Sequence, residues 1–120
     1  EGQRVSNSVE RFDPTLGFWE AMPPMSSGRA SAAAGVLGGR LHVCGGYAGQ
    51  HCLSSAEAFG PSTGAWETLP YCMHTRRAGA GIASVCGKLY LCGGHQGQRS
   101  LSSAECLCAK TGAWTKVSDM

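Results

Sequence analysis

The stretch RLHVCGG at residues 40–46 returns as KLYLCGG at residues 88–94, 48 positions later. An Arg-Ala pair precedes each copy at the same distance, beginning at Arg29 and at Arg77. Two more matches share this spacing: LSSAE at 53–57 and 101–105, and TGAW at 63–66 and 111–114. A fixed period in the high forties indicates structural repeats that stack side by side.

A third, partial copy opens the chain, 47 positions before the middle copy, and matches it over residues 8–12 and 17–19. The one-residue difference in spacing falls between Met22 and Arg29, and a change of length at one place marks a loop. We therefore divide the chain into three units. They are residues 1–25, the second half of a repeat, and residues 26–73 and 74–120, which are complete repeats.

Each complete unit has room for four short strands, and no segment shows a helical apolar stripe. The predicted strands, in order within the unit, are 31–37 and 79–85, then 40–44 and 88–92, then 8–12, 55–59 and 103–108, then 18–22, 65–69 and 113–117. A glycine pair and one tryptophan per unit are typical of propeller blades. The sequence thus predicts an all-β fold of about two and a half β-propeller blades, each complete blade having four antiparallel strands.

Composition narrows the functional classes. Ten Lys plus Arg against eight Asp plus Glu give a net charge of +2, too small to indicate nucleic acid binding. No apolar run approaches the roughly 20 residues of a membrane span, and no secretory leader is visible. Seven cysteines, an odd number, favour reduced thiols in a cytoplasmic protein over a disulfide framework.

The repeated pattern resembles kelch repeats, specifically those of the BTB-kelch (kelch-like) proteins. The shared features are Gly-Gly after the second strand, Ser-x-Glu in the third, an Asp-Pro turn, Gly-x-Trp at the fourth strand, and Met-x(3)-Arg before the first. The chain departs from the pattern where Gly60 and Cys108 replace the turn aspartate and where Leu107 replaces the aromatic residue of Phe12 and Phe59. Propellers of this family usually close with six blades, so the resemblance implies a fragment of a longer protein.

The resemblance implies a protein-interaction module, the substrate-recognition propeller of an adaptor for a cullin-RING ubiquitin ligase, with a BTB region outside this chain that joins the cullin. An actin-binding kelch protein is the alternative. A galactose-oxidase-like copper enzyme is less favoured, because Tyr47, Tyr71 and Tyr90 are scattered over different strands and loops. No Ser-His-Asp set, carboxylate pair or cofactor motif is visible, so we expect neither catalysis nor a cofactor.

In an antiparallel blade, the connections between blades and the segments after Gly-Gly emerge on one side. That side carries the arginines and histidines that we predict to bind a partner, and a cationic rim would attract an acidic or phosphorylated peptide. The predicted partner-binding residues are Arg4, Tyr47, His51, Arg76, Arg77, His95 and Arg99. By resemblance, the positions after the glycine pair and after the inter-blade arginine contact peptides; here they are Tyr47, His95, Ala30 and Ala78.

Other periodic residues are predicted to be structural. The glycines of the pairs supply a backbone conformation that larger residues avoid, and one tryptophan anchors each blade. Arg29 and Arg77 share a register, and Glu57 and Glu105 are plausible partners within the blade. The predicted structural set is Gly45, Gly46, Gly93, Gly94, Trp19, Trp66, Trp114, Arg29, Glu57 and Glu105.

The cysteines and histidines give little support for a metal site. Cys106 and Cys108 form one hook, and His51, His74 and His95 share a rim, but zinc sites use two hooks of characteristic spacing. We therefore expect no metal. Cys52 and Cys72 lie in loops beside Arg or His and are the predicted candidates for a redox-active thiol; Cys44 and Cys92 are predicted core residues.

Overall fold

The computed structural model describes residues 5–120, which form fourteen β-strands and no helix. The chain begins with half a blade, in which β1 (Val9–Asp13) pairs antiparallel with β2 (Phe18–Met22). Two complete four-stranded blades follow. The all-β prediction, with four antiparallel strands in each complete blade, is confirmed.

The two complete blades have the same meander topology, with neighbouring strands joined in chain order. The second blade consists of β3 (Ala33–Leu37), β4 (Arg40–Cys44), β7 (Ala56–Gly60) and β8 (Ala65–Thr68). The third blade consists of β9 (Gly81–Val85), β10 (Lys88–Cys92), β13 (Ala104–Cys108) and β14 (Trp114–Val117). The first two strands are joined by a two-residue turn with positive φ at both positions, Gly38-Gly39 in one blade and Cys86-Gly87 in the other. Such turns match the twist of the paired strands.

Two short hairpins interrupt the blades after the glycine pairs. In the second blade β5 (Tyr47–Ala48) pairs with β6 (His51–Cys52), and in the third β11 (His95–Gln96) pairs with β12 (Arg99–Ser100). The prediction treated these segments as irregular loops and was wrong here. In each hairpin a glycine with positive φ, Gly49 or Gly97, opens the two-residue turn that allows the strands to pair.

The core lies between the second and third blades. Strand β3 packs against β9 and β10, and the close approach depends on small residues in β3. A Cβ added at Gly35 would lie 2.9 Å from Leu89 Cδ1. The buried cluster comprises Ala33, Leu37, Cys44, Ala56, Met73, Leu89, Leu91, Leu107 and Trp114. Cys44 is in this core as predicted, whereas Cys92 is only half-buried.

Backbone hydrogen bonds cross between the blades at the end that carries the hairpins. The Gly46 amide donates to Arg77 O at 2.7 Å, and the Gly79 amide donates to Ser31 O at 2.8 Å. The connections themselves repeat, because Met73 N donates to Ser54 O and Met120 N donates to Ser102 O, both at 2.9 Å. Met120 is thus the next copy of Met73, a correspondence that the sequence comparison missed because this connection is one residue shorter.

The three tryptophans are buried to different extents. Trp114 is 6% exposed, and its indole donates to Tyr71 O at 3.2 Å; the Trp66 indole donates in the same way to Pro23 O at 2.8 Å. Trp19 is 63% exposed, and its ring packs on that of Phe12 with centroids 5.4 Å apart. The prediction that Trp19 is a packing anchor is therefore wrong for this chain. The Trp66 and Trp114 indoles each bond to the connection 43 residues before them.

His42 gives the second blade a testable pH dependence. It is buried in β4, where Nδ1 lies 3.1 Å from Arg40 O, and burial, with a smaller contribution from the Arg40 charge, lowers its pKa below 6.5. The unfolded chain therefore binds a proton at a higher pH than the folded chain does. Stability is fully present above about pH 6.5 and is lost as the pH falls toward the folded pKa.

The register-equivalent residue in the third blade is Tyr90, so His42→Tyr offers a conservative replacement. We expect the wild type to lose more thermal stability than His42→Tyr between pH 7.5 and pH 5, by on the order of a few degrees. Thermal melting curves of both proteins, recorded at several pH values across this range, give the change in melting temperature. Parallel pH profiles would show that His42 does not contribute to acid sensitivity.

Candidate functional site: the hairpin rim

A buried ion pair supports each complete blade at the end that carries the hairpins. Arg29 Nη2 lies 3.1 Å from Glu57 Oε2, and Arg29 Nη1 donates to the carbonyls of Gly45 and Ser55 at 2.9 Å. Arg77 repeats the arrangement with Glu105, Gly93 and Ser103 at 3.2, 2.9 and 2.9 Å. The pairing that the shared register suggested is present in both blades. Each arginine lies in an inter-blade connection and bonds that connection to the third strand of its blade and to the first glycine of the pair.

The carboxylates also accept backbone hydrogen bonds from the connection. The Ser26 amide donates to Glu57 Oε1 at 2.8 Å, and the His74 amide donates equivalently to Glu105 Oε1 at 2.6 Å. Burial alone would raise the pKa of Glu57, but the hydrogen bonds from Ser26 and Arg29 outweigh it and lower that pKa. Glu57 is therefore ionised at neutral pH.

Arg77 must be removed from the predicted partner-binding residues. It is 1% exposed, and its guanidinium is occupied by Glu105, Gly93 and Ser103. A side chain whose donors are all used inside the blade does not reach a partner. The neighbouring Arg76 is exposed, so the two consecutive arginines have different environments.

The two hairpins border an open cavity of about 370 Å³ between successive blades. Its lining includes Tyr47, His51, Cys52, His95 and Gly97. The base of each hairpin is fixed by an antiparallel bridge, Ala30 with Tyr47 and Ala78 with His95. The four positions that the family resemblance marked for peptide contact are thus paired backbone to backbone.

Cys52 connects the two hairpins. Its sulfur accepts a hydrogen bond from the Gly97 amide at 3.3 Å and donates to His95 O at 3.7 Å. A residue of one blade therefore contacts the hairpin of the next blade. Cys72, the other predicted redox candidate, is exposed in the inter-blade connection. Their redox activity stays a prediction.

Cationic and polar side chains surround this cavity. His51 and Arg76 line an adjoining cavity of about 240 Å³, and exposed Arg99 lies opposite Gln96 in the second hairpin. His95 Nδ1 is buried and has no hydrogen-bond partner among the described residues. We call Tyr47, His51, Arg76, His95 and Arg99 the hairpin rim. Arg4, the other predicted rim cation, lies outside the described residues.

The structural roles of the glycine pairs follow from close backbone approach. Gly46 and Gly94 have φ of 93° and 87°, and an added Cβ would lie 2.7 Å from Ala30 O and 2.6 Å from Ala78 O. At Gly45 the added atom would collide with Arg77 O, while at Gly93 the nearest atom is Met120 Cε at 3.3 Å. The second glycine of each pair therefore allows the base of the hairpin to pass close to the backbone of the inter-blade connection.

Other chemistry has little geometric support in residues 5–120. No group of three or more His, Cys, Asp or Glu side chains in this range is arranged to hold a metal ion. The same range contains no helix long and apolar enough to cross a membrane. Tyr47, Tyr71 and Tyr90 lie in a hairpin, a connection and a central strand, respectively.

These features define the class. Four-stranded antiparallel blades, repeated in register and joined through their connections, are those of a β-propeller repeat protein. A sequence profile described as "Kelch motif" matches residues 28–73 and 76–120. The chain belongs to the kelch-repeat family.

Curated relatives agree with this assignment. Over 47 residues the chain is 43% identical to human Kelch-like protein 5, 43% to human Kelch-like protein 4 and 40% to mouse Kelch-like protein 1. Each match covers 39% of this chain and 6% of the relative. The chain therefore spans a small part of these relatives' length, and the similarity supports a protein-interaction propeller module.

Proposed function

We propose that the hairpin rim binds an acidic segment of a partner protein. The observation that carries this proposal is the cavity between the two hairpins, which is lined by His51 and His95 and flanked by Arg76. Arginine and histidine donors of this kind bind carboxylates and phosphates through charge-assisted hydrogen bonds.

The distribution of the acidic groups favours an acidic partner. The charges of Glu57 and Glu105 are balanced by arginines in buried ion pairs, and Glu20 and Glu67 pair with arginines on the strands. The other acidic residues of the described chain lie away from the hairpins in sequence, Glu10 and Asp13 in the half-blade and Asp119 after β14. The rim is therefore more cationic than the net charge of +2 suggests.

Charge reversal tests the rim. We expect Arg76→Glu and Arg99→Glu, made in the intact protein, each to weaken binding of a fluorescent decapeptide carrying four glutamates by about tenfold at low salt. The salt dependence of the affinity should flatten in both variants, since fewer ion contacts remain. Fluorescence anisotropy at several ionic strengths gives both quantities.

Arg11→Glu is the matched control, because Arg11 is an exposed cation on a strand of the half-blade, paired with Glu20. It should leave peptide affinity within about twofold of the wild type. Wild-type affinity in both rim variants would contradict the proposal.

We further propose that the whole protein is a BTB-kelch adaptor that presents substrates to a cullin-RING ubiquitin ligase. Its support is the resemblance to the BTB-kelch proteins and the similarity to Kelch-like relatives. Affinity purification of the intact protein should recover a cullin, and the recovered substrates should depend on Arg99. Co-sedimentation with actin filaments in the absence of a cullin would favour the cytoskeletal alternative.

A further inference from the structure

Another cavity lies between the second and third blades, at the end opposite the hairpins. Its volume is about 160 Å³. Such a space accommodates a single six-membered ring, since a protein cavity of about 150 Å³ binds benzene. Apolar side chains of both blades line it, namely Leu37, Leu69, Pro70 and Leu107. Leu37 and Leu107 belong to the buried core, so the cavity is an opening at the edge of that core.

His42 is a buried polar side chain in the wall of this cavity. It is 5% exposed and lines both this space and an adjoining cavity of about 130 Å³. Its Nδ1 lies 3.1 Å from Arg40 O. Because a carbonyl oxygen only accepts hydrogen bonds, this contact places the proton of the neutral ring on Nδ1 and leaves Nε2 as an acceptor. Nε2 itself makes no hydrogen bond within residues 5–120.

The surroundings of this imidazole keep it neutral. Burial is the largest cause, and it lowers the pKa of His42; the hydrogen bond with Arg40 O opposes this change, and the Arg40 charge adds to it. At neutral pH Nε2 therefore carries a lone pair and no proton. A lone pair on a buried side chain is satisfied only by a hydrogen-bond donor, so a molecule that occupies this cavity must bring one.

The ion pair beside His42 limits the charge of that donor. Arg40 Nη2 lies 2.6 Å from Glu67 Oε1, and both side chains line the cavity. Since these two charges balance each other, an ammonium or a carboxylate would find no unpaired counter-charge, and burying a charge without one is unfavourable. The donor is therefore a neutral group. A hydroxyl on an aromatic ring meets this requirement, fills the volume with a rigid apolar body, and presents the ring face to the Arg40 guanidinium.

We propose that this cavity binds a phenol group, whose ring packs against Leu37 and Leu107 and whose hydroxyl donates to His42 Nε2. A free phenolic compound and a tyrosine side chain of a partner protein present the same chemistry, and the experiment below distinguishes these two sources. The acceptor is not part of the repeat, because Tyr90 occupies the equivalent position in the third blade. The cavity is at the opposite end of the blades from the hairpin rim, so this site does not depend on the proposed function.

The first test compares two probes in the intact protein. p-Cresol is the tyrosine side chain as a free molecule, and toluene is the same ring without the hydroxyl. We expect p-cresol to bind about fivefold more tightly than toluene, which is the effect of one net hydrogen bond. In protein labelled with nitrogen-15 at histidine, the Nε2 resonance of His42 should shift more with p-cresol than with toluene at saturation. Equal affinities, or no binding of p-cresol, would overturn the proposal.

The second test uses variants. Ala109 is an exposed turn residue that lines both cavities, and Ala109→Phe, which fills the space with a ring, should weaken p-cresol binding at least about tenfold. Pro61→Phe is the matched control, because Pro61 has the same position in the turn of the second blade and does not line the cavity; it should stay within about twofold of the wild type. His42→Phe should abolish the preference for p-cresol over toluene. Wild-type binding in Ala109→Phe, or a preserved preference in His42→Phe, would contradict the site.

A tyrosine peptide identifies the source of the phenol. If Gly-Gly-Tyr-Gly-Gly binds within about threefold of p-cresol and is displaced by it, the cavity admits a side chain still attached to its backbone, and a tyrosine of a partner protein is the guest. A peptide that binds more than about tenfold more weakly than p-cresol assigns the site to a free phenolic compound. Both results retain the phenol site, whose failure would be seen with p-cresol itself.

Discussion

Replacement of Arg77 by methionine is expected to lower the free energy of unfolding by about 3–5 kcal/mol. The substitution leaves the buried carboxylate of Glu105 without its counter-charge and removes the donor to Gly93 O and Ser103 O. Groups of this kind that lose a partner inside the protein are not rehydrated, so the full desolvation penalty remains. Urea denaturation of the intact protein measures the change.

Substitutions of two other arginines provide the comparison for Arg77→Met. Arg29→Met should be equally destabilising, within about 1 kcal/mol, because it removes the same set of contacts one blade earlier. Arg40→Met removes an exposed pair with Glu67 and should change stability by less than about 1 kcal/mol. If Arg77→Met destabilises no more than Arg40→Met, the buried network does not hold the blades together.

Replacement of Gly94 by alanine should destabilise the protein by about 3–4 kcal/mol, which combines the unfavourable left-handed backbone with a backbone clash. Gly94 has φ of 87°, and an alanine Cβ would lie 2.6 Å from Ala78 O. The clash falls between the base of the second hairpin and the inter-blade connection, so neither can move without breaking the Ala78–His95 bridge.

Gly97→Ala is the matched control. Gly97 has φ of 64°, also in the left-handed region, but an added Cβ has nothing within 4 Å. It should therefore show only the conformational cost of about 1–2 kcal/mol. Equal loss of stability in the two variants, measured by urea denaturation, would show that the close approach at Gly94 contributes nothing.

The strands could be predicted from the sequence because the turns mark their ends. β4 and β10 were predicted with the observed bounds, since the glycine pair ends each one. The first strands were predicted two residues too early: Ser31 and Gly79 have φ of 55° and 67°, which interrupts the extended backbone before Ala33 and Gly81. A left-handed serine leaves no pattern in a single sequence.

The hairpins could have been predicted and were missed. Both contain Gly-Gln between short segments, at Gly49 and Gly97, and glycine at the first position of a two-residue turn is a hairpin signal. With strands of two residues the alternation of polar and apolar side chains is too short to support that signal. The contact of Cys52 with Gly97 depends on how adjacent blades meet, which no local pattern specifies.

The sequence predicted the Arg–Glu pairs but did not separate Arg76 from Arg77. Both precede the first strand of the third blade, and both carry the same charge. The one feature that separates them is that Arg77, and not Arg76, lies 48 residues after Arg29. In the structure these two equivalent arginines form the same buried ion pair. Periodicity is therefore better evidence for a buried role than charge is for an exposed one.

Docking of successive blades in register is what brings the two hairpins together, and native-state hydrogen exchange measures it residue by residue. The Gly46 and Gly79 amides donate across the blade boundary to Arg77 O and Ser31 O. In the intact protein we predict that both exchange at least about a thousandfold more slowly than the amide of Gln50 at the exposed tip of the first hairpin. Exchange at Gly46 and Gly79 as fast as at Gln50 would contradict the stacked arrangement of the blades.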